Sequence, residues 1–199
     1  MSLVRKVCCI FILCFFTKAT FSQNVATVNG KSISSKEFIW VYKKNHAGTT
    51  SASYEELSNY LALYINFKLK VIDAKAMNLD ADTAYKKEIS GYERTLKAQK
   101  KTDPKKIEYD FIMNEYREGV LMFNISEKKI WSKVLENENE VRQYYNRYAL
   151  SYNGKSFEDV QGQVIADYQQ ELERDWIKAL RTKYTVKINE EELKKLAKP

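Results

Sequence analysis

The chain has 199 residues, with 33 lysines and arginines against 26 aspartates and glutamates, giving a formal charge of +7. With 3 cysteines, 1 histidine, 6 glycines and 2 prolines, it is neither a disulfide scaffold nor a glycine-rich nucleotide-binding chain, and it offers little for histidine or cysteine chemistry.

Residues 1 to 22, MSLVRKVCCIFILCFFTKATFS, place Arg5 and Lys6 before an apolar run from Val7 to Phe16 and end on small residues. This pattern predicts a secretory signal peptide cleaved near Ser22-Gln23. The apolar run is about half the roughly 20 residues that a membrane span needs. A lipoprotein signal would have small residues before its cysteine, whereas Cys14 follows Phe11-Ile12-Leu13. Cys8, Cys9 and Cys14 all leave with the leader, so the mature chain has no thiol, and its charge falls to +4 because Arg5, Lys6 and Lys18 leave too. An exported, mildly basic chain argues against a nucleic-acid partner.

The mature segment, 23 to 199, opens on QNVATVNGKSISSKEF. Alternating β-branched residues break at Asn29-Gly30, so a strand is predicted over about 24–29. Ser34 with Glu37 then forms a capping box and starts a helix carrying Phe38, Val41 and Tyr42. Ser53 with Glu56 repeats the device. The helix it opens has two stripes, Leu57, Leu61, Tyr64, Lys68, Val71 and Ile65, Leu69, Ile72, Ala76, which place it at the centre of the fold. Asn78 suits a left-handed helix stop, and Asp82 starts a third helix with Tyr85, Ile89, Tyr92 and Leu96.

Asp103-Pro104 signals a restart, with Asp capping and Pro at the first helical position. Phe111, Tyr116, Val120, Phe123, Ile130, Trp131 and Val134 read as one register of a single helix about 45 Å long, bent near Gly119 or Asn124. Asn137 with Glu140 caps a short helix through Val141, Tyr144, Tyr145 and Tyr148. YNGKS is a loop. Ser156 with Asp159 opens a long helix with Val160, Val164, Tyr168, Leu172, Trp176 and Leu180. YTVKIN then gives a strand over about 184–188, and Asn189 with Glu192 caps a last helix. A lone strand is not stable, so the two strands are expected to pair. The fold class is mainly α, a helical core with a small two-stranded sheet that joins the two ends of the mature chain.

VATVNGKSISSKEF followed by YLALYINFKLKVIDAKAMNLDADTAYKKEI resembles the N-terminal chaperone domain of SurA-type periplasmic peptidyl-prolyl isomerases. NEYREGVLMFNISEKKIWSKV and DYQQELERDWIKALRTKYTVKINEEEL are similar to segments after the isomerase domains in longer relatives. The resemblance spans nearly the whole mature chain and implies one helical chaperone domain, 23–199, with an N-terminal lobe 23–101 and a lobe 104–199 holding the long helix and the C-terminal elements. A parvulin domain needs about 90 further residues with its own glycine-rich strands and paired histidines. KKTDPKK and YNGKS are too short to hold one, and the one histidine, His46, lies in a polar loop. The isomerase module is therefore expected to be absent.

Nothing else in the sequence points to catalysis. No P-loop, G-x-G-x-x-G or G-x-S-x-G occurs. Asp167 and Glu171, four apart, read as a solvated helix face, and NEEEL reads as a helix start favoured by its dipole. No metal or cofactor is called for. The informative feature is the aromatic content, 14 Tyr and 3 Trp, rigid contact area with a polar handle. Tyr144, Tyr145, Tyr148 and Tyr152 are too dense for all to face one core, while Trp131 and Trp176 fall in mid-stripe as core residues. Trp40, Tyr60, Tyr64, Phe67, Phe111, Tyr116 and Phe123 are the candidate peptide-binding residues. Together with the resemblance they imply an ATP-independent periplasmic holdase for unfolded outer-membrane or secreted polypeptides. The alternative is a non-catalytic interaction subunit with one fixed envelope partner or, as a homodimer, with itself.

Overall fold

The structure, a computed structural model, describes residues 23–48, 51–99 and 106–197. The leader and the Asp103-Pro104 helix start lie outside the described residues. Strand β1 (Asn24–Val28) turns through Asn29 and Gly30, both at positive φ (49° and 76°). Two successive left-handed residues suit the twist of a two-residue hairpin, and the chain returns as β2 (Lys31–Ser34). On its other side β1 pairs antiparallel with β3 (Val186–Ile188), with Val28 opposite Val186 and Ala26 opposite Ile188. The expected joining of the two ends is present. The sheet, however, has three strands in the order β2-β1-β3 rather than two. KSIS lies between the Asn-Gly turn and a helix cap and carries little strand signal of its own, but the turn folds it back onto β1 before the helix starts. A bulge between Asn24 and Ala26 lets the successive residues Val25 and Ala26 both be buried,.

Ser34 ends β2 and caps α1 (Ser35–Asn45), its Oγ accepting from the Glu37 N–H at 3.2 Å. The expected reciprocal bond is not made. The Glu37 carboxylate instead accepts from the Tyr64 hydroxyl and from Lys68, both at 2.7 Å. Ser53 and Glu56 do close a full capping box on α2 (Tyr54–Ala76). Leu57, Leu61, Ile65 and Leu69 are at most 1% exposed, and each such side chain stabilises the fold by about 1.5–3 kcal/mol. They pack with the sheet and α1, while Val71 and Ala74 face a second cluster. Two-sided burial makes α2 the central helix, as its double stripe requires. Asn78 takes the left-handed stop at φ 56°, and Asp82 caps α3 (Thr83–Gln99) by accepting from Ala84 and Tyr85 N–H.

Helix α4 (Lys106–Ser126) runs into a π turn, Glu127–Trp131, and then α5 (Ser132–Glu136). The irregularity sits there, after the expected bend at Gly119 or Asn124. The expected register of α4 is wrong as well. Ile130 and Val134 of the expected stripe are buried, but before the π turn the buried positions are Met113, Leu121 and Ile125, and Phe123 is 52% exposed. The step of five from Ile125 to Ile130 is the physical reason. A π turn carries one extra residue, so a stripe extrapolated at constant helical pitch lands on the wrong face.

Asn137 caps α6 (Glu138–Arg147), and a 3₁₀ turn, Ala149–Tyr152, leads through Asn153-Gly154 to α7 (Phe157–Lys183), capped by Ser156. Asn189 caps α8 (Glu190–Leu196), whose Leu193 is buried beside the sheet. The described core falls into three clusters: sheet with α1, α2 and α8; α2 with α3 and α4; and α5 through α7. No described helix is long and apolar enough to cross a membrane.

Candidate functional site

A hollow of about 320 Å³ opens between the end of α1, the middle of α2 and α4, where Tyr60, Leu63, Tyr64 and Phe67 face Glu115 and Gly119. A second, of about 510 Å³, continues past Glu115 and Gly119 along α4 to Tyr116, Val120 and Phe123, with Tyr92 of α3 on its far wall. Both lie on one face of α4, because 112, 115, 116, 119, 120 and 123 repeat at helical spacing. Gly119 is common to both. A Cβ built there meets nothing within 4 Å and its φ is not left-handed, so a side chain at this position would project into the open space where the two hollows adjoin.

The groove walls are braced by charge. Lys68 is 12% exposed and bridges Glu37 at 2.7 Å and Glu118 at 2.5 Å, tying α1 to α2 and α4. Burial, and then the adjacent Glu37 carboxylate, push the Tyr64 hydroxyl well above its ordinary pKa, so it stays a neutral donor. Lys44 pairs with Glu115 at the junction of the hollows. Deeper in the fold, Asp73 of α2 is 4% exposed and accepts from Trp176 Nε1 at 3.0 Å, with Lys129 at 2.9 Å and Lys183 at 3.5 Å. Burial alone would raise its pKa. The hydrogen bonds from Lys129 and Trp176, with the charges of Lys129 and Lys183, reverse this and hold it below the ordinary value. Lys129 belongs to the π turn, so that irregularity is anchored to the central helix.

Of the seven residues singled out from sequence, Tyr60, Tyr64 and Phe67 line the first hollow, and Tyr116 and Phe123 the second. Tyr64 and Phe67 are stacked at 5.8 Å, and Phe123 meets Trp131 edge-on at 5.1 Å. Tyr116 stacks on Tyr92 and donates to Glu88 at 3.1 Å. Trp40 and Phe111 pack on each other at 5.6 Å, bridging α1 and α4 beside the groove, and line neither hollow. Sequence reasoning missed Leu63, 65% exposed, and Gly119. The signal for Leu63 was present: it belongs to neither stripe of α2.

As expected, the four dense tyrosines do not all face one core: three join a single cluster and the fourth stays outside it. Tyr144 and Tyr152 are buried, Tyr145 is half-buried, and only Tyr148 is exposed. Their hydroxyls reach across the lobe: Tyr148 to Glu171, Tyr152 to Asp167, Tyr168 to Glu140, and Tyr145 to the Lys155 carbonyl. Burial, then those carboxylate partners, push Tyr152 and Tyr168 up to about 12. Trp131 and Trp176 are half-buried, and Trp176 packs at the seam of two clusters. His46 ends α1, its ring stacked on Tyr42 at 4.0 Å. Among the described residues no group of three His, Cys, Asp or Glu side chains is placed to hold a metal ion. Comparison with protein-family models, with curated proteins and with solved structures finds no match to the chain.

Proposed function

We propose that the chain is an exported, ATP-independent holdase of the SurA type, without isomerase activity, that shields apolar segments of unfolded outer-membrane or secreted polypeptides in the groove along α4. The observation that carries this reading is the pair of adjoining hollows with Leu63 and Phe123 exposed, at 65% and 52%, beside Tyr64, Phe67 and Tyr116. Apolar side chains left in water favour a partner that covers them. Aromatic walls accept varied side chains without a fixed hydrogen-bond pattern. An open groove that holds without fuel must release, so each segment binds at roughly micromolar affinity or weaker. Tyr60, Tyr64, Phe67, Tyr116 and Phe123 are the contact residues in this reading, with Trp40 and Phe111 setting the spacing of α1 and α4.

The test is light scattering of an unfolded outer-membrane β-barrel protein diluted from urea, with and without residues 23–199 at near-equal molar ratio. Suppressed scattering, reduced by Leu63→Ser with Phe123→Ser, supports the groove. Absence of suppression across several clients contradicts a general holdase and favours one fixed envelope partner, sought by pull-down.

A further inference from the structure

A second face of α4 carries Asn114, Arg117 and Glu118, and it borders a different kind of space. Between the β1-β2 hairpin, α2 and α4 lies a narrow hollow of about 160 Å³, and between α2, α3 and α4 another of about 360 Å³. They share Lys75, Asn114 and Glu118, so they form one path. Its cations are Lys31, Lys68, Lys75, Lys86 and Arg117; its acids are Glu37, Asp80 and Glu118. Glu37 and Glu118 are both engaged by Lys68. Among the ion pairs of the described residues, none involves Lys31, Lys75, Lys86 or Arg117. Lys75 and Arg117 are also half-buried. A half-buried cation with no carboxylate at ion-pair distance has lost part of its hydration with little compensation, which an arriving anion restores.

We infer that this path is an anion site that takes the carboxylates of an acidic polypeptide segment. Cations spaced from the hairpin through α2 to α3 and α4 suit several carboxylates in a row, not one small ion. The acids on the same walls disfavour a dianion such as phosphate more than single-charged carboxylates. The Asn114 amide and the Ser32 hydroxyl, also on the lining, add neutral donors of the kind a carboxylate accepts from. The site is separate from the aromatic groove and does not depend on its assignment.

The test is fluorescence anisotropy of a labelled ten-residue glutamate-rich peptide at low salt, beside the same peptide with glutamine. Wild type is expected to bind the glutamate peptide, and Lys75→Gln with Arg117→Gln to weaken it about tenfold or more. An equal charge change on α7, Arg174→Gln with Lys178→Gln, is expected to leave binding unchanged. Lys31→Gln, an exposed hairpin substitution, provides a second readout should the double variant fail to fold, with an expected loss of severalfold. Equal binding by wild type and the path variants overturns the inference, as does equal binding of the two peptides. So does binding to phosphatidylglycerol vesicles or inorganic phosphate that the double substitution weakens while peptide binding stays the same.

Discussion

The molecule uses aromatic residues in two opposite ways. Along α4 and α2 the rings of Tyr64, Phe67, Tyr116 and Phe123 border open space, and some of the apolar surface stays in water. In the lobe of α5 to α7 a comparable density of tyrosines packs together, with the hydroxyls of Tyr145, Tyr148, Tyr152 and Tyr168 tied to a carbonyl or a carboxylate. A count of tyrosines is therefore no measure of a binding surface. What separates the two is whether the rings pack into one cluster or border a hollow, since Tyr64 and Tyr116 donate to carboxylates as well and yet line the groove.

The contrast can be broken from the closed side first. Tyr144→Ala removes a buried ring that contacts Tyr148 and Tyr168 and is expected to cost about 3–4 kcal/mol, measured by urea unfolding, with client holding per folded molecule unchanged. Asp73→Asn leaves Lys129 and Lys183, 33% and 58% exposed, facing a neutral group and is expected to cost about 1.5–2 kcal/mol through the lost charged hydrogen bond. Its pH signature follows from the lowered pKa. Asp73 contributes stability that is fully present above the unfolded value near 4 and is lost as pH falls through the lower folded value. Wild type should therefore lose stability on acidification below about pH 4, and D73N should have a flatter acid limb in thermal melts. On the open side, Leu63→Ser and Phe123→Ser are expected to change stability by no more than about 0.5 kcal/mol while lowering aggregation suppression several-fold. The last stability effect is a gain: Gly119→Ala on α4 is expected to add about 0.5–1 kcal/mol, because glycine is a poor helix former and the added methyl meets open space,.

Most of the helical frame was legible because it is written locally. Ser34, Ser53, Asn137, Ser156 and Asn189 all accept from the backbone three residues on, as their sequence context indicates. The meeting of the first and last strands was also readable, since VATVNG and YTVKI carry the two clear strand signals of the sequence. The face of α4 was not. It depends on a π turn held by Lys129 on Asp73, a contact between elements distant in sequence, and no local pattern reports the extra residue. The third strand was hidden for a related reason: KSIS is short and runs directly into a helix cap. Within the groove, the five aromatics of α2 and α4 could be named, but Gly119 read as a flexible point because a missing side chain has no hydrophobic signature.

Gly119 gives the most direct test of the open groove as the working surface. Gly119→Leu places a side chain where the two hollows meet, on a Cβ that has nothing within 4 Å, and with better helix propensity,. The expected result is a raised melting temperature together with weaker suppression of β-barrel client aggregation at the same molar ratio. Unchanged or stronger suppression by the more stable variant would contradict a groove centred on α4.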